Sequence, residues 1–469
     1  MSTSPIPEDL LRRLGLTLLP LDGASIRVAS PRRLSGRERR ELQFAVGASV
    51  EVVVDASVGD GARTPAVPAQ PVQPVQSTAK RKTLELSGSV VQQVDRMLAH
   101  AVSVEASDVH VEPYEHFFRL RFRLDGVLHT VGELPLLQRA AFVSRIKVMA
   151  NLDIAERRRP QDGRMRFTTE GRTIDLRVST LPTHFGEKVV LRLLDKAHLA
   201  LRLDALGLQG TGLDLVRRAI GRPHGMVLVT GPTGSGKTTT LYAALSERNT
   251  DDVNVITVED PIEYDLPGIN QTHVRADIGF TFANALRAFL RQDPDVIMVG
   301  EVRDAETAQV AVRAALTGHL VFSTLHTNDA PSAVTRLADM GVEPYLVASS
   351  LRLVVAQRLL RRVCTACRQP STPSPQVLTE LGLSSVANGT YVEGKGCDVC
   401  SGTGYKGRLA VFEVMEISDD LRDLIATRVP AQRVRAQAES EGLQSLRSLA
   451  LRVAALGKTT LAEVLRCTS

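Results

Sequence analysis

The stretch Gly231-Pro232-Thr233-Gly234-Ser235-Gly236-Lys237-Thr238 has the residue types and spacing of the phosphate-binding loop G-x-x-x-x-G-K-[ST]. Its glycines allow successive backbone N–H groups to close around phosphate oxygens. Lys237 offers a cation to the β and γ phosphates, Thr238 can ligate Mg²⁺, and Thr239 carries the loop into the next element. Hydrolysis also takes a carboxylate to orient water and cations against the developing γ-phosphate charge. Glu301 follows the apolar run Val296-Ile-Met-Val-Gly300 and reads as a water-orienting or Mg²⁺-linked carboxylate, with a helix-capping glutamate as the competing reading. Glu259, Asp260 and Glu263 follow another apolar run, 253–258, and either project into the same crevice or form a solvated acidic loop. His326, beyond the apolar run 319–323, serves equally as a γ-phosphate sensor or a structural group, whereas His319 reads as structural.

A second chemistry lies in Cys364-Thr-Ala-Cys367 and Cys397-Asp-Val-Cys400, two C-x-x-C knuckles suited to a closed tetrahedral zinc site. Redox pairs or unliganded thiols are the alternatives. The step of 30 positions from Cys367 to Cys397 requires an excursion that returns, and Gly396, Gly402 and Gly404 supply tight turns around the second knuckle. Cys467 is left over without a role.

Elements must position these groups. The 469 residues exceed one ordinary core. Residues 1–58 read as a small α/β module with helices at 10–19 and 37–44 and extended segments at 25–28 and 50–54. Residues 59–83 are rich in Pro, Gln, Ala and Val and read as a semi-flexible tether. Residues 84–205 alternate a helix, a strand hairpin turning at Asp125-Gly126, a second helix and three further strands, an α+β domain with many outward arginines. From 206 to 362 strands and helices alternate around the phosphate loop, the pattern of a mostly parallel sheet covered on both sides, with a helix expected over 345–361. A four-cysteine subdomain at 363–408 and a helical subdomain at 409–469 complete an α/β, multidomain chain. Hydrophobic content of 43% and charge of 23% are globular values, and a net charge of only +5 permits nucleic acid without indicating it. No run approaches the ~18 apolar residues of a membrane span, and MSTSPIPEDLLRR lacks an apolar signal core, so a cytoplasmic location is expected.

The phosphate loop, Asp260-Pro261, Leu290-Arg-Gln-Asp-Pro-Asp295, Gly300-Glu-Val-Arg-Asp304, Thr317-Gly-His-Leu320 and Ser323-Thr-Leu-His-Thr-Asn328 together resemble the secretion ATPases of the type II secretion system, within the larger group of type II and type IV secretion and pilus motors. The likeness runs from about Leu84 to the C-terminus. The strings at 257–264 and 339–345 look more like the type II secretion branch, and the four cysteines, shared with pilus-extension motors, argue against the retraction motors. The resemblance implies a PAS-like domain before a RecA-like motor. It gives phosphate and Mg²⁺ binding to Lys237 and Thr238, the catalytic carboxylate to Glu301, an acidic box to Glu259 and Glu263, and a histidine box to His319 and His326. Arg177 and Arg192 match the cations that the preceding domain contributes to the γ-phosphate. Implied cofactors are ATP, Mg²⁺ and Zn²⁺. Implied partners are further copies in a homohexamer, the cytoplasmic domain of an inner-membrane platform protein and a polytopic inner-membrane assembly protein, with no direct nucleic acid. A DNA translocase and a nucleotide-gated scaffold without turnover are the rival functions.

Overall fold

The structure, a computed structural model, describes residues 16–18, 26–30, 34, 50–54, 84, 86–195, 202–383 and 390–468. The chain divides into two compact units, Met1–Gln76 and Ser77–Ser469. The first holds a three-stranded sheet in which β2 (Ile26–Ser30) pairs antiparallel with β1 (Thr17–Leu18) and parallel with β3 (Val50–Val54). Thr17 and Leu18 are thus extended where a helix over 10–19 was expected; β1 is held by the β2 ladder rather than by local periodicity. The expected helix at 37–44 and the tether lie outside the described residues.

The second unit opens with an α+β domain. Helix α1 (Val90–Ser103) starts at Ser89, whose side chain and that of Gln92 form a reciprocal capping box. Strands β4 (Asp108–Pro113), β5 (Phe118–Leu124) and β6 (Val127–Leu134) are followed by helix α2 (Arg139–Met149) and strands β7 (Gln161–Thr169), β8 (Arg172–Thr183) and β9 (Gly186–Leu194). They form one antiparallel sheet in the order β6-β5-β4-β9-β8-β7. Because side chains alternate across a strand, Val109, Val111, Phe118, Leu120, Phe122, Val189 and Leu191 turn toward α1 and α2 and make one core.

The opposite sheet face is charged. Asp108 and Glu112, both buried, are ringed by Arg123, Arg192, Arg119, Arg121 and Lys188 at 2.6–3.3 Å. Burial alone would raise the Glu112 carboxyl, but hydrogen bonds from Arg121 and Lys188 outweigh it and hold the group down at about 2. A depressed carboxylate stabilises the fold above its unfolded pKa and ceases to do so as pH falls through the folded value. The domain is therefore expected to lose stability between pH ~4.5 and ~2, and Glu112→Gln should flatten that slope in acid-unfolding curves followed by circular dichroism.

The motor domain follows: α3 (Gly210–Ile220), β10 (Gly225–Thr230), α4 (Lys237–Arg248), β11 (Val255–Glu259), β12 (Asn270–His273), α5 (Phe282–Phe289), β13 (Val296–Val299), α6 (Ala305–Leu316), β14 (Leu320–Leu325), α7 (Ala330–Asp339), α8 (Pro344–Ser350) and β15 (Leu351–Val363). Beyond it come β16 (Arg368–Pro370), α9 (Pro375–Glu380), β17 (Val392–Gly394), β18 (Tyr405–Glu416) and helices α10 (Asp419–Ala426), α11 (Ala431–Ser440), α12 (Leu446–Ala455) and α13 (Leu461–Thr468). Seven strands form a sheet in the order β12-β11-β13-β14-β10-β15-β18, parallel except for β18. Met226 and Leu228 enter the core on one face, Val227 and Val229 that on the other, so β10 is buried on both sides.

Two expectations are corrected. The helix expected over 345–361 ends at Ser350, and Leu351–Val363 is a strand. Its apolar run is covered on both faces and its backbone groups pair with β10 and β18, a context that periodicity alone does not reveal. The boundary drawn between 408 and 409 falls inside β18, which returns the chain from the cysteines to the motor sheet before the four C-terminal helices begin. Among the described residues no helix is long and apolar enough to cross a membrane.

Candidate functional site

The phosphate loop joins the end of β10 to the start of α4 in the middle of the parallel sheet, at the strand ends where open α/β sheets place ligands. Two of its glycines are sterically required. A Cβ on Gly231 (φ 151°) would sit 2.6 Å from the Gln357 carbonyl and Ser235 Oγ, and one on Gly236 (φ 87°) would sit 2.8 Å from Gln357 Nε2. Lys237 Nζ donates to the carbonyls of Gly231 and Pro232 at 2.9 and 3.2 Å. Burial lowers its pKa, partly offset by Glu301. Ser235 Oγ is buried without a hydrogen-bond partner, and Lys237 opens the first turn of α4 with Thr238 and Thr239 beside it. An unpaired hydroxyl, a cation and a helix N-terminus in one turn fit a phosphate group.

Glu301 stands one residue beyond Gly300 at the end of β13, and His326 one residue beyond β14. They meet at 3.4 Å, His326 Nε2 to Glu301 Oε2. Arg303 ion-pairs with Glu301 through the other carboxylate oxygen and lies 3.9 Å from Asp260 Oδ2. Arg303 lies in the Gly300–Asp304 string, whose spacing assigns a task to the carboxylate and none to the arginine. His319 sits apart: its Nδ1 lies 3.0 Å from the Ala314 carbonyl, at the end of α6.

The acidic box divides. Glu263 faces the preceding domain, where Arg177 donates to its carboxylate at 3.0 Å and also to the Ile262 carbonyl. Glu259 is turned inward instead of toward the crevice. It is buried and accepts hydrogen bonds from Tyr242 Oη, from Thr257 Oγ1 at 2.7 Å and from Gln271 Nε2 at 3.1 Å.

The two arginines divide as well. Arg164, Arg177 and Arg192 stand directly opposite one another across β7, β8 and β9, and Asp108 on β4 completes the row. Like charges in register repel, so each needs an anion. Arg177 has Glu263 and Arg192 has Asp108 at 3.0 Å, while Arg164 on the edge strand was missed by sequence reasoning. Gln357 is a further site residue that the sequence does not reveal, because the periodicity of its segment predicts a helix where the structure has β15. It accepts from Thr240 Oγ1 at 2.7 Å and braces the phosphate loop from β15.

At the cysteine site Cys364, Cys367, Cys397 and Cys400 bring all four sulfurs within 4.8 Å of one another. Three sulfur pairs lie at 3.8, 3.9 and 3.8 Å, matching the ~3.8 Å that Zn–S bonds of about 2.3 Å impose in a tetrahedron. The excursion between the knuckles is the β16–β17 hairpin with α9 at its far end. Although burial opposes it, amides of Cys397 and Gly404, each 3.2 Å from the sulfur, push the Cys400 thiol down to about 7.

The family described as "Type II/IV secretion system protein" matches residues 83–466. The type II secretion system protein HxcR of Pseudomonas aeruginosa is 53% identical over 379 residues, 81% of this chain and 77% of that protein. The type IV pilus assembly ATPase PilB of Myxococcus xanthus is 48% identical over 449 residues, 95% of this chain and 78% of that protein. Among solved structures, the pilus retraction motor PilT with bound ADP superimposes with a TM-score of 0.53 at 25% identity, covering 80% of this chain and 96% of that one. With the phosphate loop, Glu301 and the seven-stranded sheet in place, the chain belongs to the type II/IV secretion system protein family and is an ATPase of that family.

Proposed function

We propose that the chain is a cytoplasmic, hexameric motor that hydrolyses ATP to ADP and phosphate and uses the resulting domain rotation to assemble a pilus-like fibre driving protein export by a type II secretion system. The observation that carries the motor reading is Arg177, a cation of the α+β domain bonded to the acidic box at the strand ends of the motor sheet. Catalysis is thereby tied to the orientation of one domain against the other. Lys237 and the loop amides hold the β and γ phosphates, and Thr238 is the protein ligand for Mg²⁺, which when bound neutralises phosphate charge. Glu301, oriented by Arg303 and His326, positions the attacking water. Arg177 and Arg192 trade Glu263 and Asp108 for the γ-phosphate as the domains rotate. Arg177→Ala is expected to lower kcat about 10³-fold with KM for ATP little changed, measured by phosphate release.

The secretion branch is favoured by the 53% identity to HxcR. A pilus-assembly motor is the second reading, favoured by the PilB match that extends over 95% of the chain. Deleting the gene should stop release of exported proteins and leave surface pili intact, and the reverse phenotype would establish the pilus reading. Residues 1–58 dock on the cytoplasmic domain of an inner-membrane platform protein in this scheme, and the four cysteines hold Zn²⁺ as a structural ion. Salt-sensitive DNA binding with DNA-stimulated hydrolysis would replace the whole scheme with a translocase.

A further inference from the structure

Tyr242 lies on α4, the helix that begins at Lys237, and is fully buried. Its hydroxyl donates to Glu259 and accepts from the Glu263 amide at 3.3 Å. Burial, followed by the neighbouring Glu259 carboxylate, pushes this phenol far above its ordinary range, so it remains a donor at every working pH. The other Glu259 oxygen accepts Thr257 Oγ1 and Gln271 Nε2. Gln271 in turn donates to the Tyr264 carbonyl at 3.0 Å and accepts from the Leu266 amide at 2.6 Å. One buried carboxylate therefore joins α4, β11, β12 and the loop 260–266. Its three donors come from the protein interior, and the residue is only 3% exposed. That loop carries the pair of contacts that receives Arg177, at Ile262 and Glu263.

We propose that Tyr242 is a positioning residue for hydrolysis and that Glu259 is its anchor instead of a nucleotide-facing group: together they fix the loop that presents Glu263 to Arg177. A shift of the phosphate-loop helix reaches the interdomain cation through a single phenol. The inference rests on the ATPase reading of the site, in which the roles usually open to an acidic-box carboxylate fall to other residues, metal ligation to Thr238 and water orientation to Glu301.

Phosphate release by the full chain, with ATP and Mg²⁺ titrated separately, tests it on Tyr242→Phe, Glu259→Gln and the double variant. Tyr242→Phe withdraws one donor from the buried carboxylate and the acceptor of the Glu263 amide, and Glu259→Gln removes the charge and the acceptor on one side of the group, both at nearly unchanged shape, so each is expected to lower kcat about tenfold. KM for ATP and half-saturation by Mg²⁺ should stay within about twofold, and the double variant should be no slower than the slower single one. Gln271→Met, which withdraws a different donor from the same carboxylate, should reproduce the effect and serves if Tyr242→Phe folds poorly. A tenfold or larger rise in Mg²⁺ half-saturation for Glu259→Gln alone, multiplicative effects in the double variant, or wild-type turnover by Tyr242→Phe would each overturn the proposal. Absence of turnover by the wild-type chain would instead refute the ATPase reading itself.

Discussion

Glu301→Gln is expected to lower phosphate release by about 10²–10³-fold while the protein still binds ATP. The change is isosteric, and Glu301 is held from two sides, by Arg303 on one oxygen and His326 on the other. An amide keeps the shape but loses the charge that both partners address and replaces one of the two acceptor oxygens with a donor, so the group no longer draws a proton from an attacking water. Lys237→Ala should differ in kind. Lys237 is the cation of the loop itself, already turned onto the Gly231 and Pro232 carbonyls, so its loss should remove nucleotide binding as well as turnover. Isothermal titration with a non-hydrolysable ATP analogue separates the two variants. Equal turnover by wild type and both variants would leave only a nucleotide-gated scaffold.

Removal of the zinc proposed for the four cysteines should have an effect of comparable size on stability. A structural zinc contributes on the order of 10 kcal/mol, as much as the whole stability of an ordinary domain. The segment from Cys364 to Gly404 has little core to replace it: the hairpin strands β16 and β17 span three residues each. Elemental analysis should find about one zinc per chain. Cys397→Ser or strong chelation should expose the 364–404 segment to limited proteolysis and lower the midpoint of thermal unfolding. A purified folded protein without metal would refute the four-thiolate site.

The sequence was legible where a local signal decides structure. Strand β5 matches the expected Phe118–Leu124 because apolar and charged residues alternate, and α6 matches Ala305–Leu316 because Asp304 caps it through Thr307. The placement of the loop between β10 and α4, and of Glu301 just beyond β13, was legible because the motif fixes its flanking elements. The loop residues, Glu301 and the cysteines were placed by motif, whereas the strand at 351–363 was not, since its identity is settled by two neighbours distant in sequence. The fate of Glu259 was hidden for a similar reason. Nothing around residue 259 announces that Tyr242 and Gln271 will surround it, and an acidic string reads as exposed until its donors are seen. The arginine row across β7, β8 and β9 likewise exists only in the register of three paired strands.

Strand β18 covers the outer side of β15 from Leu353 to Val363 and begins five residues after Cys400. If the knuckle loosens and β18 peels away, β15 becomes a long sheet edge with free amides and carbonyls, apolar from Leu353 to Ala356. Such an edge is a template for pairing with another chain. The cost of losing the metal would then appear in the test tube as turbidity and mixed intermolecular sheet, with seeding by concentration, before any loss of helix is visible.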